Sequence, residues 1–154
     1  MINKNKYEAA WRCPSNIALV KYWGKKGKQL PANASLSFTL ADLYTETKLT
    51  CASEEPGNIQ VFLDGARQIS FEPKIREFLA RIDDLLPWLK DYSLIINTSN
   101  NFPHSSGIAS SASGLGALAL CLAEIHASLS NQSPDVQFAS ELARLGSGSA
   151  CRSI

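Results

Sequence analysis

Alternation of polar and apolar residues dominates the first half of the chain, and three- to four-residue apolar spacing takes over in the second. Tyr7 to Arg12 alternates moderately, and Asn16-Ile17-Ala18-Leu19-Val20-Lys21-Tyr22-Trp23 is a longer β-prone run that stops at Gly24. After the Lys-rich loop through Pro31, Ser35 to Leu40 alternates as a half-buried strand does, and Thr45 to Cys51 alternates again. Ile59 to Leu63, then Asp64-Gly65, then Arg67 to Ile69 predicts a hairpin, because Asp-Gly suits the turn that matches strand twist.

Pro73 introduces a helix whose apolar residues Ile75, Phe78, Leu79, Ile82, Leu85 and Leu86 recur at helical spacing, and which should end before Pro87. Ser93 to Thr98 returns to a strand. The next helix, beginning near Ser110, places Leu115, Leu118, Leu122, Ile125 and Leu129 on one face, and a third is expected to start at Ser133-Pro134, as N-cap and Pro at N1. The order predicts an α+β fold, a mixed β-sheet with helices packed on one face. Gly114 and Gly116 inside the second helix suggest close backbone packing.

Composition narrows the partners. The chain has 154 residues, 45% hydrophobic and 19% charged with a net charge of +1, enough for one domain with a core or for half of a larger enzyme. Neither nucleic acid nor an anionic membrane is favoured as partner, so any anion site must be local. The longest apolar run, around Ala117 to Ala123, falls short of the ~20 residues that span a bilayer, and the N-terminus has no apolar signal core, which points to a cytoplasmic location. Cys13, Cys51, Cys121 and Cys151 lie far apart and read as reduced, partly buried residues rather than a metal set. The two histidines are His104 and His126; His104 either touches ligand or simply faces solvent in its turn.

Three polar segments stand out. In the first, Asn101-Phe102-Pro103-His104-Ser105-Ser106-Gly107-Ile108-Ala109-Ser110-Ser111-Ala112-Ser113-Gly114 runs from a strand through a Gly/Ser turn into a helix. Such a turn aims backbone N–H groups and the positive end of a helix at a phosphate, with the hydroxyls of Ser110 and Ser111 at its mouth, although an ordinary Ser-capped helix after a tight turn has the same composition. The second is Lys21-Tyr22-Trp23-Gly24-Lys25-Lys26, and the third Gly146-Ser147-Gly148-Ser149-Ala150-Cys151-Arg152-Ser153. Lys21 and Lys25 offer point charges and Arg152 a planar fork for carboxylate or phosphate. A solvated lysine loop and a helix C-cap with a flexible tail are the plainer readings of these two. No acidic residue lies in or beside any of the three, so none is at hand to orient an acceptor hydroxyl for phosphoryl transfer. There is no P-loop signature and no G-x-S-x-G, and Gly114, Gly116 and Ala119 match a dinucleotide fingerprint in the wrong context.

These segments resemble the GHMP kinase superfamily and, within it, the diphosphomevalonate decarboxylases. The resemblance is carried by Pro14 to Lys25, by Pro31-Ala32-Asn33-Ala34-Ser35-Leu36-Ser37, by Asn101 through Ser113 and by Gly146 to Ser153. It implies the ribosomal-protein-S5-domain-2-like N-terminal domain of the GHMP kinase fold over residues 1–154, with a C-terminal domain absent. It also implies ATP-dependent decarboxylation of mevalonate 5-diphosphate to isopentenyl diphosphate through phosphorylation of the C3 hydroxyl, with ATP and Mg²⁺ as cofactors and no dedicated protein metal site. ATP would be held by Gly107, Ile108, Ala109, Ser110, Ser111 and Ala112, and the substrate diphosphate by Tyr22, Lys25, Ser147 and Ser149. Arg152 would grip the departing carboxylate, and Lys21 would sit near the transferred phosphoryl group. The full-length protein would be a homodimer.

Two features depart from the family pattern. Many members carry Thr-Ala-Ala-Gly where this chain has His104-Ser105-Ser106-Gly107, and the family's catalytic Asp lies in an Asp-x-Gly-Pro-Asn stretch that does not occur here. These residues alone are therefore expected to bind anions without catalysing decarboxylation, and to expose an apolar surface. The alternatives are a related mevalonate or phosphomevalonate kinase or decarboxylase, or a catalytically inactive nucleotide- or anion-binding fragment.

Overall fold

The computed structural model describes residues 6–21, 23–27, 30–103 and 109–154. Its main sheet has strands β1 (Lys6–Val20), β4 (Leu36–Ala52), β5 (Ile59–Leu63), β6 (Ala66–Arg67) and β7 (Ser93–Asn100), in the spatial order β1-β4-β7-β5-β6. β5 and β7 run parallel, joined through α1 (Glu72–Ile82), and the other pairs are antiparallel. A small hairpin, β2 (Lys25–Lys26) with β3 (Leu30–Pro31), stands apart. α2 (Ser110–Leu129) packs on β1 and β4, and α3 (Val136–Gly146) lies against α2 and α1, so the predicted α+β arrangement is borne out.

Period-two alternation explains the two faces. Ala9, Cys13, Leu49, Cys51, Ile59, Val61, Leu94 and Ile96 point inward and are buried against Phe78, Ile82, Leu118, Leu122 and Ile125. On the outward face Glu8 lies 3.0 Å from Lys6 and 3.1 Å from Lys48, and Arg12 lies 2.5 Å from Glu46 and over the Tyr44 ring. Lys6 and then Lys48 hold the Glu8 carboxyl at about 2.

Several boundaries differ from those the sequence predicts. The two short strands expected on each side of Pro14 are one 15-residue strand, and those on each side of Asp42 are one of 17 residues. Pro14 is tolerated because β1 is an edge strand, where a missing N–H costs no ladder bond. The register shifts between Pro14 and Ser15, leaving Ala41 to Leu43 of β4 unmatched, and Asn101 stitches this bulge. Its Nδ2 donates to Asp42 O at 2.7 Å and its Oδ1 accepts from Tyr44 N at 2.8 Å. β1 also ends at Val20, short of the expected Trp23.

α1 stops at Ile82, and Leu86 reaches the core from the following turn while Leu85 stays exposed. α3 is capped by Asp135, whose carboxylate accepts from Gln137 N and Phe138 N, rather than by Ser133; Pro134 therefore precedes the cap. Of the two helical glycines only Gly116 is close-packed: a Cβ there would lie 2.4 Å from Cys13 Sγ, while at Gly114 it would meet open space. α2 is long and apolar enough to cross a membrane by length and composition, unlike the shorter run read from sequence, yet 67% of that window is buried inside the fold. The cysteines form no disulfide, and burial pushes the thiols of Cys13, Cys51 and Cys121 up to about 12.

Candidate anion-binding site

The C-terminal polar segment packs against α2 and β1, and its Arg152 reaches Ser35 beside the end of β1. The C-terminal segment turns back after α3 as a short 3-10 helix, Ala150–Ser153, with Ala150 and Ser153 buried, so it is packed rather than a flexible tail. The Asn16 side chain, 2% exposed, holds it to β1: Nδ2 donates to Ser153 Oγ at 2.6 Å and Ser149 O at 3.3 Å. Cys13 Sγ adds a contact to Ser153 O at 3.2 Å. Gly116 lets α2 approach the same place, since its missing Cβ would lie against both Cys13 Sγ and Ala150 O. One glycine thus brings helix, edge strand and C-terminal turn together.

Arg152 points across this junction to β4. Its Nη1 donates to Ser35 Oγ at 2.7 Å, while its Nε is buried with no acceptor among the described residues. The last register pair, Val20 with Leu36, makes Lys21 and Ser35 the next residues on their strands, so Lys21 leaves the ribbon beside the Arg152 partner. Ser147 Oγ and Ser149 Oγ lie 3.1 Å apart, which places two hydroxyls together in the turn. The Lys21 to Ala34 loop is organised by Asn33, whose Oδ1 accepts from Trp23 N at 2.6 Å and whose Nδ2 donates to Ala34 O and Lys21 O. Lys21 and Lys25 are exposed, and neither has an ion pair among the described residues. Tyr22 lies outside the described residues.

The Gly/Ser segment that includes Ser110 and Ser111 forms the start of α2. Helix geometry begins at Ser110 as expected, but the residue before it, Ala109, is left-handed at φ 43° and ψ 41° with no side-chain cap. Ser110 and Ser111 therefore do not cap the helix, and their hydroxyls are not spent on its first N–H groups. Ser111 is exposed and Ala112 buried beneath it. Gly107, Ile108 and His104 lie outside the described residues.

Among the described residues no carboxylate is hydrogen-bonded to Lys21, Lys25, Ser110, Ser111, Ser147, Ser149 or Arg152, and no three His, Cys, Asp or Glu residues gather as a metal set. The assembly is rich in donors and positive charge. Asn16, Asn33 and Ser35 are supporting residues that lie within segments carrying the resemblance, and their roles become visible only through the contacts they make in the fold.

Comparison with known proteins agrees with this arrangement. The family described as the diphosphomevalonate decarboxylase-like N-terminal domain matches residues 13–154. A diphosphomevalonate decarboxylase of Aspergillus fumigatus is 38% identical over 96% of this chain and 39% of its own length. The solved mevalonate diphosphate decarboxylase from Enterococcus faecalis, described for mevalonate diphosphate mediated ATP binding, superposes with a TM-score of 0.81 at 37% identity, over 96% of this chain and 45% of that one. A complex described as MDDEF with MVAPP, AMPPCP and magnesium has a TM-score of 0.81 at 38% identity, over 97% of this chain and 44% of that one. The chain spans about two fifths of the length of the curated relatives it matches. With its fold and nearly its whole length matched, the chain belongs to the diphosphomevalonate decarboxylase family, in the stretch that makes that family's N-terminal domain.

Proposed function

We propose that this chain supplies the anion-binding half of an ATP-dependent decarboxylase that converts mevalonate 5-diphosphate to isopentenyl diphosphate. The observation that carries the reading is Arg152: a guanidinium held by Ser35 beside the end of β1, with a buried Nε that has no acceptor among the described residues. A buried unpaired N–H costs about 1–3 kcal/mol, and an incoming carboxylate oxygen would remove that cost. In this reading Arg152 takes the substrate carboxylate, and Tyr22, Lys25, Ser147 and Ser149 take the diphosphate. Lys21, leaving β1 beside Ser35, lies near the transferred phosphoryl group. Gly107 to Ala112 form the ATP cradle, with the N–H groups of the first α2 turn and the hydroxyls of Ser110 and Ser111 facing phosphate.

The donor set suits magnesium held chiefly by nucleotide phosphates: it provides serine hydroxyls, which are hard oxygens, and no protein carboxylate cage among the described residues. Bound there, the ion would neutralise charge developing on the phosphates. A carboxylate that orients the C3 hydroxyl would come from outside residues 1–154, and the 154-residue chain alone would bind anions without turnover. The full-length protein is read as a cytoplasmic homodimer.

Arg152→Lys in the full gene product tests the assignment, because lysine keeps the charge and loses the fork. Carbon dioxide release from mevalonate 5-diphosphate should fall by about 10²-fold, with loss of a charge-assisted hydrogen bond and the planar grip, while ATP affinity stays within about twofold. Wild-type-like turnover would reject the role. Offering mevalonate, its 5-phosphate and its 3,5-bisphosphate to the wild type identifies the substrate.

A further inference from the structure

Below the start of α2 a buried chain of polar side chains joins the helix to the sheet. Thr45 of β4 is 2% exposed and Ser113 of α2 is fully buried, and their hydroxyls lie 2.6 Å apart. Thr45 Oγ1 also lies 2.6 Å from Asn100 Oδ1 at the end of β7, and Ser113 Oγ donates to Ser110 O at 3.2 Å. Two hydroxyl protons thus serve three contacts; turning the Asn100 amide so that Nδ2 donates to Thr45 gives each contact its own proton. The chain then runs in one direction, from Asn100 through Thr45 and Ser113 to the carbonyl of the first residue of α2.

That first turn needs holding. Ala109 occupies the left-handed region, which a residue with a Cβ adopts only where its surroundings impose it, and no side chain among the described residues caps the helix. An apolar pair of the same shape at positions 45 and 113 would fill the space about as well. What the hydroxyls add is direction: they fix the rotation of α2 against the ends of β4 and β7.

We propose that Thr45 and Ser113 are positioning residues for the nucleotide cradle, setting the aim of the N–H groups and hydroxyls of Ser110 and Ser111 without touching the nucleotide. This rests on reading that turn as the ATP site. The test uses the full gene product with Thr45→Val, Ser113→Ala, their combination and Thr45→Ser, measuring binding of a fluorescent ATP analogue, binding of mevalonate 5-diphosphate, and thermal melting.

Each of the first two variants should weaken nucleotide binding about tenfold while mevalonate 5-diphosphate affinity stays within about twofold. The combination should be little worse than either single change, as for groups in one network, and Thr45→Ser should restore binding. Nucleotide affinity within twofold of wild type, or equal weakening of both ligands, would overturn the proposal. Ser113→Ala, a small change to a good helix former, decides the matter by the same two affinities if Thr45→Val does not fold. A wild type that binds the ATP analogue yet releases no carbon dioxide would overturn the decarboxylase reading and leave this test intact; a wild type that binds no nucleotide would overturn both.

Discussion

β1 and β4 form one continuous ribbon, and its two halves present unlike surfaces to water. In the near half, residues 6–13 of β1 and 45–52 of β4, the inward side chains meet α2 and the outward charges are paired, Glu8 with Lys6 and Lys48 and Arg12 with Glu46. In the far half the register pairs Ile17 with Phe38 and Val20 with Leu36, and all four are exposed, from 44% to 60%. Lys21 and Lys25 lie at this end without ion pairs among the described residues. Trp23, 82% exposed, lies in the loop between them. Both halves share the β1–β4 ladder, although only the near half of β4 also pairs with β7 and the far half carries a register shift between Ala18 and Val20. The ladder alone therefore does not make a finished surface; what faces the strands does, and the far half carries the contiguous apolar area that marks a contact region.

The sharpest break of this comparison uses one residue type on one strand. Leu49→Ala, at a fully buried position in the near half, should cost about 2–5 kcal/mol, whereas Leu36→Ala in the far half should change stability by less than about 0.5 kcal/mol, both read by urea denaturation. Equal losses would mean that the far half is packed as tightly as the near one. The junction of the halves is the next largest case. Gly116→Ala sets a Cβ 2.4 Å from Cys13 Sγ and should destabilise by about 1–3 kcal/mol, while Gly114→Ala, facing open space, should stabilise by about 0.5–1 kcal/mol. Melting temperatures moving in the same direction would refute that asymmetry.

The smallest effect lies on the outward charges of the near half. The Glu8 carboxyl is depressed from its ordinary 4.5 to about 2, so its contribution is present above pH 4.5 and is lost as pH falls toward 2. Glu8→Gln should flatten the acid limb of stability only in that window, and added salt should shrink the difference. A stability difference between Glu8→Gln and wild type as large at pH 2 as at pH 7 would contradict it.

Much of this was legible from alternation and spacing. The strand runs, the Asp64-Gly65 hairpin and α2 follow from local chemistry, and the donor segments were visible because serine, glycine and lysine cluster there. Less legible was whatever depended on distant partners. Pro14 resembles a strand break until β1 is known to be an edge, and Asp135 rather than Ser133 caps α3. The Asn16, Ser35 and Asn101 contacts span 57 residues or more for their long-range bonds, and no local pattern encodes them. Gly116 was the exception: a glycine inside a helix announced a close approach, though only the fold identified Cys13 as the neighbour.

The thiols give the molecule a stopwatch. Cys13, Cys51 and Cys121 are buried and held protonated, and Cys151 alone is half exposed. An alkylating reagent needs thiolate, so the three buried sites react only as fast as their covering layer opens. Cys13 lies under the C-terminal turn through its contact with Ser153, whereas Cys121 lies between α2 and the carbonyls of Ala9 and Thr47. Labelling at Cys13 times the lifting of the turn that carries Arg152, and labelling at Cys121 times the parting of helix from sheet.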